Sequence, residues 1–263
     1  NRTDTNIRTY GVNGLQKILN IAFLNENGYK ISRISNMNDD EVNKLVRRIT
    51  TSKSNVNRAV QSMKVAMMNF DQPLFLRTYD GLLTNKTFRD IYNDVFIPLL
   101  QQIGYLWQSN TITPAHEQFI TNLIKQKLFL NIEDLQKVQP IKEDKVFVLF
   151  LPEEEIHDIG LFYTNYELLS HGYKVIFLGQ SLPMEDLSYL SKLFRSTVFI
   201  SYLTTKPEDL DDYINKFTKH ICTDKECEYW ILGKKAQDIL DEGKKLPDRV
   251  KAFSSINHLT FNL

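Results

Sequence analysis

The chain has 263 residues, 42% hydrophobic and 11% aromatic, with 32 basic against 32 acidic side chains. That length allows one to three domains with real cores, while a formal charge of zero excludes naming a partner from overall charge. The apolar runs are strand-sized, well below the ~20 residues that span a bilayer, so no membrane segment is expected. Two cysteines, Cys222 and Cys227, stand with four residues between them and no second pair, which disfavours zinc and fits reduced thiols in a cytoplasmic protein. The first residues read as mid-domain and carry no initiator Met, so a piece of a longer protein is expected.

Taken in chain order, three zones separate. Residues 1–53 hold nine Lys/Arg against five Asp/Glu, so a basic piece precedes an acidic body. Such asymmetry suits a polyanion partner or is ordinary surface variation. "NRTDTNIRTYG" is polar and turn-like. Val12, Leu15, Ile18, Leu19, Ala22 and Phe23 then recur at three- and four-residue steps, the pattern of an amphipathic helix that Asn27-Gly28 stops. "KISRIS" and a helix over roughly 38–50 follow, and "TTSKSN" is a polar linker.

The second zone, 54–140, reads as a helical bundle. Val56, Val60, Met63, Met67 and Phe70 form one apolar stripe. Phe88, Ile91, Val95, Leu99, Ile103 and Leu106 form another, kinked near Pro98. Thr113 is a good N-cap with Pro114 at the first helical position, and Ile120, Leu123, Ile124 and Leu128 mark the buried face beyond it.

The third zone, 141–263, alternates strand and helix. Candidate strands cover 145–150, 174–179, 197–203, 228–233 and 250–255, with helices over roughly 157–172, 183–195, 207–221 and 234–243. Continuous apolar strands between amphipathic helices predict a parallel sheet covered on both faces. The fold class is therefore α/β plus α: a helical bundle and a flavodoxin- or Rossmann-like domain with a five-stranded parallel sheet.

Ligands of such domains bind beyond the carboxyl ends of the strands, where strand order reverses. The first strand runs into Glu155, His157 and Gly160. The third ends at Ser201-Tyr202-Leu203 and the fourth at Gly233. With strand order 2-1-3-4-5 these residues share one edge. Glu-x-His suits a metal-ligating imidazole oriented by a carboxylate, and Gly160 allows a bulky group near the backbone. Equally, the segment reads as an acidic loop at a helix N-terminus with a surface histidine. The turn lacks G-x-G-x-x-G, which disfavours a dinucleotide.

E-x-H-x-x-G (155–160), S-x-L (201–203) and Gly233 resemble the signature D/E-x-H-x-x-G…S-x-L…G-G of cobalamin-binding domains in methionine synthases, mutases and corrinoid proteins. The resemblance implies that His157 is the lower axial ligand to the cobalt of cobalamin, replacing the cofactor's own base, with Glu155 as its hydrogen-bond partner. Ser201 and Leu203 would line the slot for the nucleotide tail, and Gly233 would leave it room. Lys234 stands where the signature has its second glycine; it would crowd the tail or meet its phosphate.

"PLLQQIGYLWQSNTITPAHEQF" resembles the helical cap of cobalamin-dependent MerR-type regulators, the CarH/LitR group. This implies that Trp107 faces the upper side of the cofactor and that Glu117 points inward; the structural alternatives are a core Trp and a Glu that offsets the helix dipole. Gln108 and Gln118 depart from the photosensory members of that group, and His116 is one residue off the register. Residues 1–53 resemble the wing and following helices of a MerR-type winged helix without its recognition helix. That implies Arg2, Arg8 and Tyr10 on the wing beside operator DNA, or else a set of solvated surface groups.

The expected organisation is thus part of a winged helix (1–53), a helical cap (54–140) and a cobalamin-binding domain (141–263). The expected function is a cobalamin-sensing transcriptional regulator. It binds operator DNA, changes assembly as a dimer or tetramer, and takes adenosyl- or methylcobalamin. Alternatives are a corrinoid methyl carrier, or a regulator whose site has decayed into an oligomerisation module. No Ser/His/Asp or paired-carboxylate arrangement suggests hydrolysis, and no enzyme activity is expected.

Overall fold

A computed structural model describes residues 20, 21, 23–25, 29–49, 55–108, 112–223 and 226–263. Arg2, Arg8 and Tyr10 lie outside the described residues, with the predicted wing and most of the helix predicted from Val12. The chain divides into two compact units between Ile124 and Lys125.

In the first unit, helix Asp39–Ile49 starts from a reciprocal cap. Asn38 Oδ1 accepts from the Glu41 N–H and Glu41 Oε2 accepts from the Asn38 N–H, each at 2.9 Å. Helix Asn55–Met68 buries Val60, Met63 and Met67 as the stripe predicts. Phe70 does not follow that stripe. It stands beyond the helix at φ +50°, 46% exposed, because the chain turns there into Asp71, which caps helix Gln72–Leu83 by accepting from the Leu74 N–H. The second stripe begins in helix Phe88–Ile91, passes through one π-helical stretch, Tyr92–Phe96, and continues as helix Ile97–Gln108. The predicted kink at Pro98 thus takes the form of a π-turn just before it. Proline cannot donate to the preceding turn, and the Ile97 N–H bonds the Tyr92 carbonyl instead. Ile91, Val95, Leu99 and Ile103 are all buried. Helix Pro114–Gln136 begins where Thr113-Pro114 predicts.

The second unit holds a five-stranded, all-parallel sheet in the order β2-β1-β3-β4-β5. The strands are β1 (Lys142–Pro152), β2 (Tyr173–Leu182), β3 (Thr197–Tyr202), β4 (Cys227–Leu232) and β5 (Val250–Ala252). Phe147 to Leu151 are completely buried, as a strand covered on both faces requires. On one face Phe150, Phe199 and Tyr229 meet Phe217 of helix Leu210–His220, at ring separations of 5.8, 5.4 and 4.2 Å. On the other, Trp230 lies 5.7 Å from Phe147 and 5.0 Å from Phe253. Each fully buried Phe of this kind contributes roughly 1.5–3 kcal/mol of hydrophobic stabilisation.

Helices Ile159–Ser170, Leu210–His220 and Lys234–Asp241 form as predicted. The helix predicted over 183–195 is broken into a 3-10 turn, Met184–Leu187, and a short helix, Leu190–Leu193. Ser188 and Ser191 hydroxyls donate to the Glu185 and Ser188 carbonyls, an alternative to the helical ladder. A final helix, Ile256–Phe261, was not foreseen; it packs on helix Ile159–Ser170. Cys222 and Cys227 are joined in a disulfide between the end of helix Leu210–His220 and β4, where free thiols were expected. No described helix is long and apolar enough to cross a membrane.

Candidate functional site

The order β2-β1-β3 makes the chain leave β1 and β3 in opposite directions, which opens a crevice at their carboxyl ends. At this point β1 ends in a tight turn. Glu154 has φ +64°, and its N–H donates to Ser181 Oγ near the end of β2. Glu155 then points inward and is completely buried.

A buried carboxylate costs several kcal/mol unless its oxygens are bonded. Here they receive five backbone N–H groups. Oε1 accepts from Ile156 and His157, each at 3.0 Å. Oε2 accepts from Thr204 at 3.1 Å, Thr205 at 2.7 Å and Lys206 at 2.9 Å. Burial alone would raise its pKa; the N–H groups of Lys206 and Thr205 and the contacts from His157 overcome that and hold it at about 2. Glu155 therefore ties the loop after β1 to the loop after β3, and it stays ionised.

His157 completes the arrangement. Its Nδ1 lies 2.6 Å from Glu155 Oε1, and its side chain is 47% exposed. A carboxylate only accepts, so Nδ1 carries the hydrogen and the Nε2 lone pair is left for a ligand. Ile156 beside it is 60% exposed, an apolar neighbour for whatever approaches. The next residue anchors the loop from below: Asp158 is buried, 2.5 Å from Gln180 Nε2 and 2.6 Å from Lys125 Nζ. Gln180 also donates to the Ile156 carbonyl. On the outer side Lys206 Nζ bridges Glu154 and Glu208, each at 2.9 Å.

Ser201 and Leu203 are fully buried at the end of β3, between the crevice and the aromatic layer under helix Leu210–His220. The two glycines fit this strand end closely. A Cβ on Gly160 would stand 2.5 Å from the Tyr202 ring, so Gly160 seats Tyr202. Gly233 has φ +89°, and a Cβ there would stand 2.5 Å from the Leu203 carbonyl oxygen. In the structure the space that each glycine leaves is filled by the tip of β3. Lys234 is exposed at the first position of its helix.

In the first unit Trp107 lies in helix Ile97–Gln108, and Glu117 is half-buried in the first turn of helix Pro114–Gln136. His116, weighed in the sequence as a substitute ligand, is a buried capping residue. Its Nδ1 lies 2.8 Å from Thr113 Oγ1 and accepts from the Thr113 N–H, and its ring stacks on Phe70 at 4.8 Å. Burial lowers its pKa.

The structure thus brings Glu155, His157, Gly160, Ser201, Leu203 and Gly233 to one edge of one sheet, as strand order 2-1-3-4-5 predicts. Missed from sequence were the Thr204–Lys206 backbone, Gln180, Lys125 and the ring of Tyr202. Backbone N–H groups carry no sequence signal, and Gln180 and Lys125 find Asp158 only through the fold.

Residues 59–130 match the B12 binding domain family. Over 159 residues the chain is 28% identical to the HTH-type transcriptional repressor CarH of Myxococcus xanthus, an alignment that covers 60% of this chain and 52% of that protein. The likeness to a B12-binding module thus lies in residues 59–130, and the likeness to CarH extends over 60% of the chain. The chain spans about half the length of that curated relative. Its fold is shared with the Methanosarcina barkeri monomethylamine corrinoid protein, at a TM-score of 0.62 and 14% identity, over 79% of this chain and 98% of that one. Cobalamin is the cofactor of this module.

Proposed function

We propose that this chain is the sensing part of a cobalamin-dependent transcriptional regulator, with His157 as the lower axial ligand to cobalt. The observation that carries this reading is the Glu155–His157 pair, which fixes the imidazole with Nδ1 engaged and Nε2 open at the edge of the sheet. The residues present fit the group: one oriented imidazole suits a metal that brings its own equatorial ligands, and the buried carboxylate holds that imidazole in place through Nδ1. In this reading Ser201 and Leu203 line the tail side of the corrin. Bound cobalamin would supply a cobalt centre whose absorbance reports its axial ligands.

In this reading the cofactor biases subunit assembly, dimer or tetramer. Assembly sets how MerR-type winged helices meet paired half-sites of an operator, with Arg2, Arg8 and Tyr10 as backbone contacts. The protein acts in the cytoplasm and catalyses no reaction. Support comes from the likeness to a transcriptional repressor and from the basic N-terminal piece. The corrinoid methyl-carrier alternative draws on the shared fold alone.

The test is to mix the purified protein with adenosyl-, methyl- and hydroxocobalamin in the dark, desalt, and record absorbance and size before and after light. Retained cofactor with a histidine-ligated spectrum, lost in His157→Ala, is the expected result. An unchanged spectrum in His157→Ala would remove the axial assignment. In the protein with its whole DNA-binding domain, Arg8→Ala should weaken binding to operator and to unrelated DNA alike and reduce the salt slope by about one; a variant that binds as tightly at every salt concentration would refute the wing contact.

A further inference from the structure

His157 stands at the centre of a three-residue turn. The Asp158 N–H closes it by donating to the Ile156 carbonyl at 3.0 Å. One side chain from another element clasps both ends of that turn. Gln180 Nε2 donates to the Ile156 carbonyl at 3.0 Å and to Asp158 Oδ2 at 2.5 Å. A carbonyl and an ionised carboxylate only accept, so the Gln180 amide has one orientation that serves both, with its nitrogen facing the turn.

The tip of β2 is shaped to bring Gln180 there. Leu149, Phe150 and Pro152 of β1 pair with Phe177, Gly179 and Leu182 of β2, so β2 carries an extra residue at each step. Gly179 and Ser181 flank Gln180 in the left-handed region, at φ +86° and +52°. Such a bulge re-aims a side chain, and a left-handed serine is uncommon. The Ser181 hydroxyl accepts from the Glu154 N–H at 3.2 Å, so the same tip also holds the chain ahead of Glu155. Lys125 stands behind the turn. Its Nζ lies 2.6 Å from Asp158 Oδ1, an oxygen that makes no hydrogen bond among the described residues, so this ion pair is what compensates it. Asp158 is 6% exposed, whereas Gln180 is exposed. An exposed amide carried on a bulge adds little to the core; what it does is fix where His157 stands.

We propose that Gln180, with Lys125 behind it, is the positioning residue for the axial ligand: together they hold the turn so that His157 stays on cobalt and does not give way to water or to the cofactor's own base. This rests on the axial reading of His157 above. The work is divided between two supports. Glu155 fixes the tautomer and direction of the ring through Nδ1. Gln180 and Lys125 hold the backbone from which the ring projects. A ligand on a turn that is already ordered does not lose that conformational freedom again on binding, which favours it over freely moving competitors. Without the clasp Nε2 keeps its lone pair, and the loss falls on the ligation equilibrium.

The experiment reads the axial nitrogen directly. The full chain is loaded with hydroxocobalamin, the metal is reduced to cobalt(II), and the electron paramagnetic resonance spectrum is recorded. Isotopic labelling of the histidine nitrogens separates His157 from the cofactor's own base, and His157→Ala gives the spectrum without it. In wild type the histidine-ligated form should dominate. In Gln180→Met the ratio of histidine-ligated to other forms should fall about tenfold, and Lys125→Met should lower it in the same direction. Gln180→Lys, which keeps a donor at that place, should restore most of the ratio. The ratio is taken within the bound cofactor, so a smaller yield of folded protein leaves it unmoved. An unchanged ratio in Gln180→Met, or equal falls in Gln180→Met and Gln180→Lys, would overturn the proposal while the axial reading stands. If wild type gives the spectrum of His157→Ala, or retains no cofactor, the axial reading fails and takes this inference with it.

Discussion

At Glu155 the cost of burying a charge is offset by backbone N–H groups from two loops, and the consequence is a pH dependence of stability. Its folded pKa is about 2 against an ordinary 4.5. A depressed carboxyl contributes its full stabilisation above the unfolded value and loses it as pH falls through the folded one. The loss should therefore run from about pH 4.5 down to pH 2, and it should total roughly 3 kcal/mol. Urea unfolding at a series of pH values checks this. In Glu155→Gln the amide NH2 would face backbone donors, so stability at pH 7 should drop by about 3 kcal/mol and the acid sensitivity should flatten. A variant as stable as wild type would mean that the N–H groups find other partners. The sequence shows Glu155 and His157 but not this support, since Thr204, Thr205 and Lys206 act through their main chain.

Elements meet at this edge because β3 and β4 end within one residue of each other in register. The Leu203 N–H donates to the Leu232 carbonyl at 2.8 Å, and the Leu203 carbonyl accepts from Lys235 at the start of the next helix. Gly233 makes that closeness possible. Gly233→Ala sets a Cβ at φ +89° against a backbone oxygen, which cannot swing away as a side chain would, and about 2–4 kcal/mol of stability should be lost. Thermal unfolding with and without cofactor separates this loss from any effect on binding. Element types were largely legible from period and caps: Thr113-Pro114 at a helix start and apolar runs as buried strands. The failures occurred where local hydrogen bonding competed with periodicity, as at Ser188 and Ser191, or where a turn took over from a stripe, as at Phe70.

For the whole molecule, the proposal requires the cofactor to bind the folded chain and leave the unfolded one alone. At a hundredfold excess over the dissociation constant, that linkage should raise stability by about 2.7 kcal/mol, and His157→Ala should remove most of the gain. Scanning calorimetry with hydroxocobalamin measures it. Size-exclusion runs on the same samples test assembly: a shift in size with cofactor that His157→Ala abolishes is expected, and one size under all conditions would argue for a site uncoupled from association.

The sequence by itself determined the class of most elements and the order in which chemistry-bearing residues arrive at strand ends. Hydrophobic period, caps and turn residues are local, and each acts within a few positions of the chain. Only the tertiary structure decided that Glu155 collects N–H groups some 50 residues away and that Gly160 and Gly233 seat the tip of β3. These are contacts between distant segments, fixed by register and burial, and a hydrogen bond acts only over the last three ångströms.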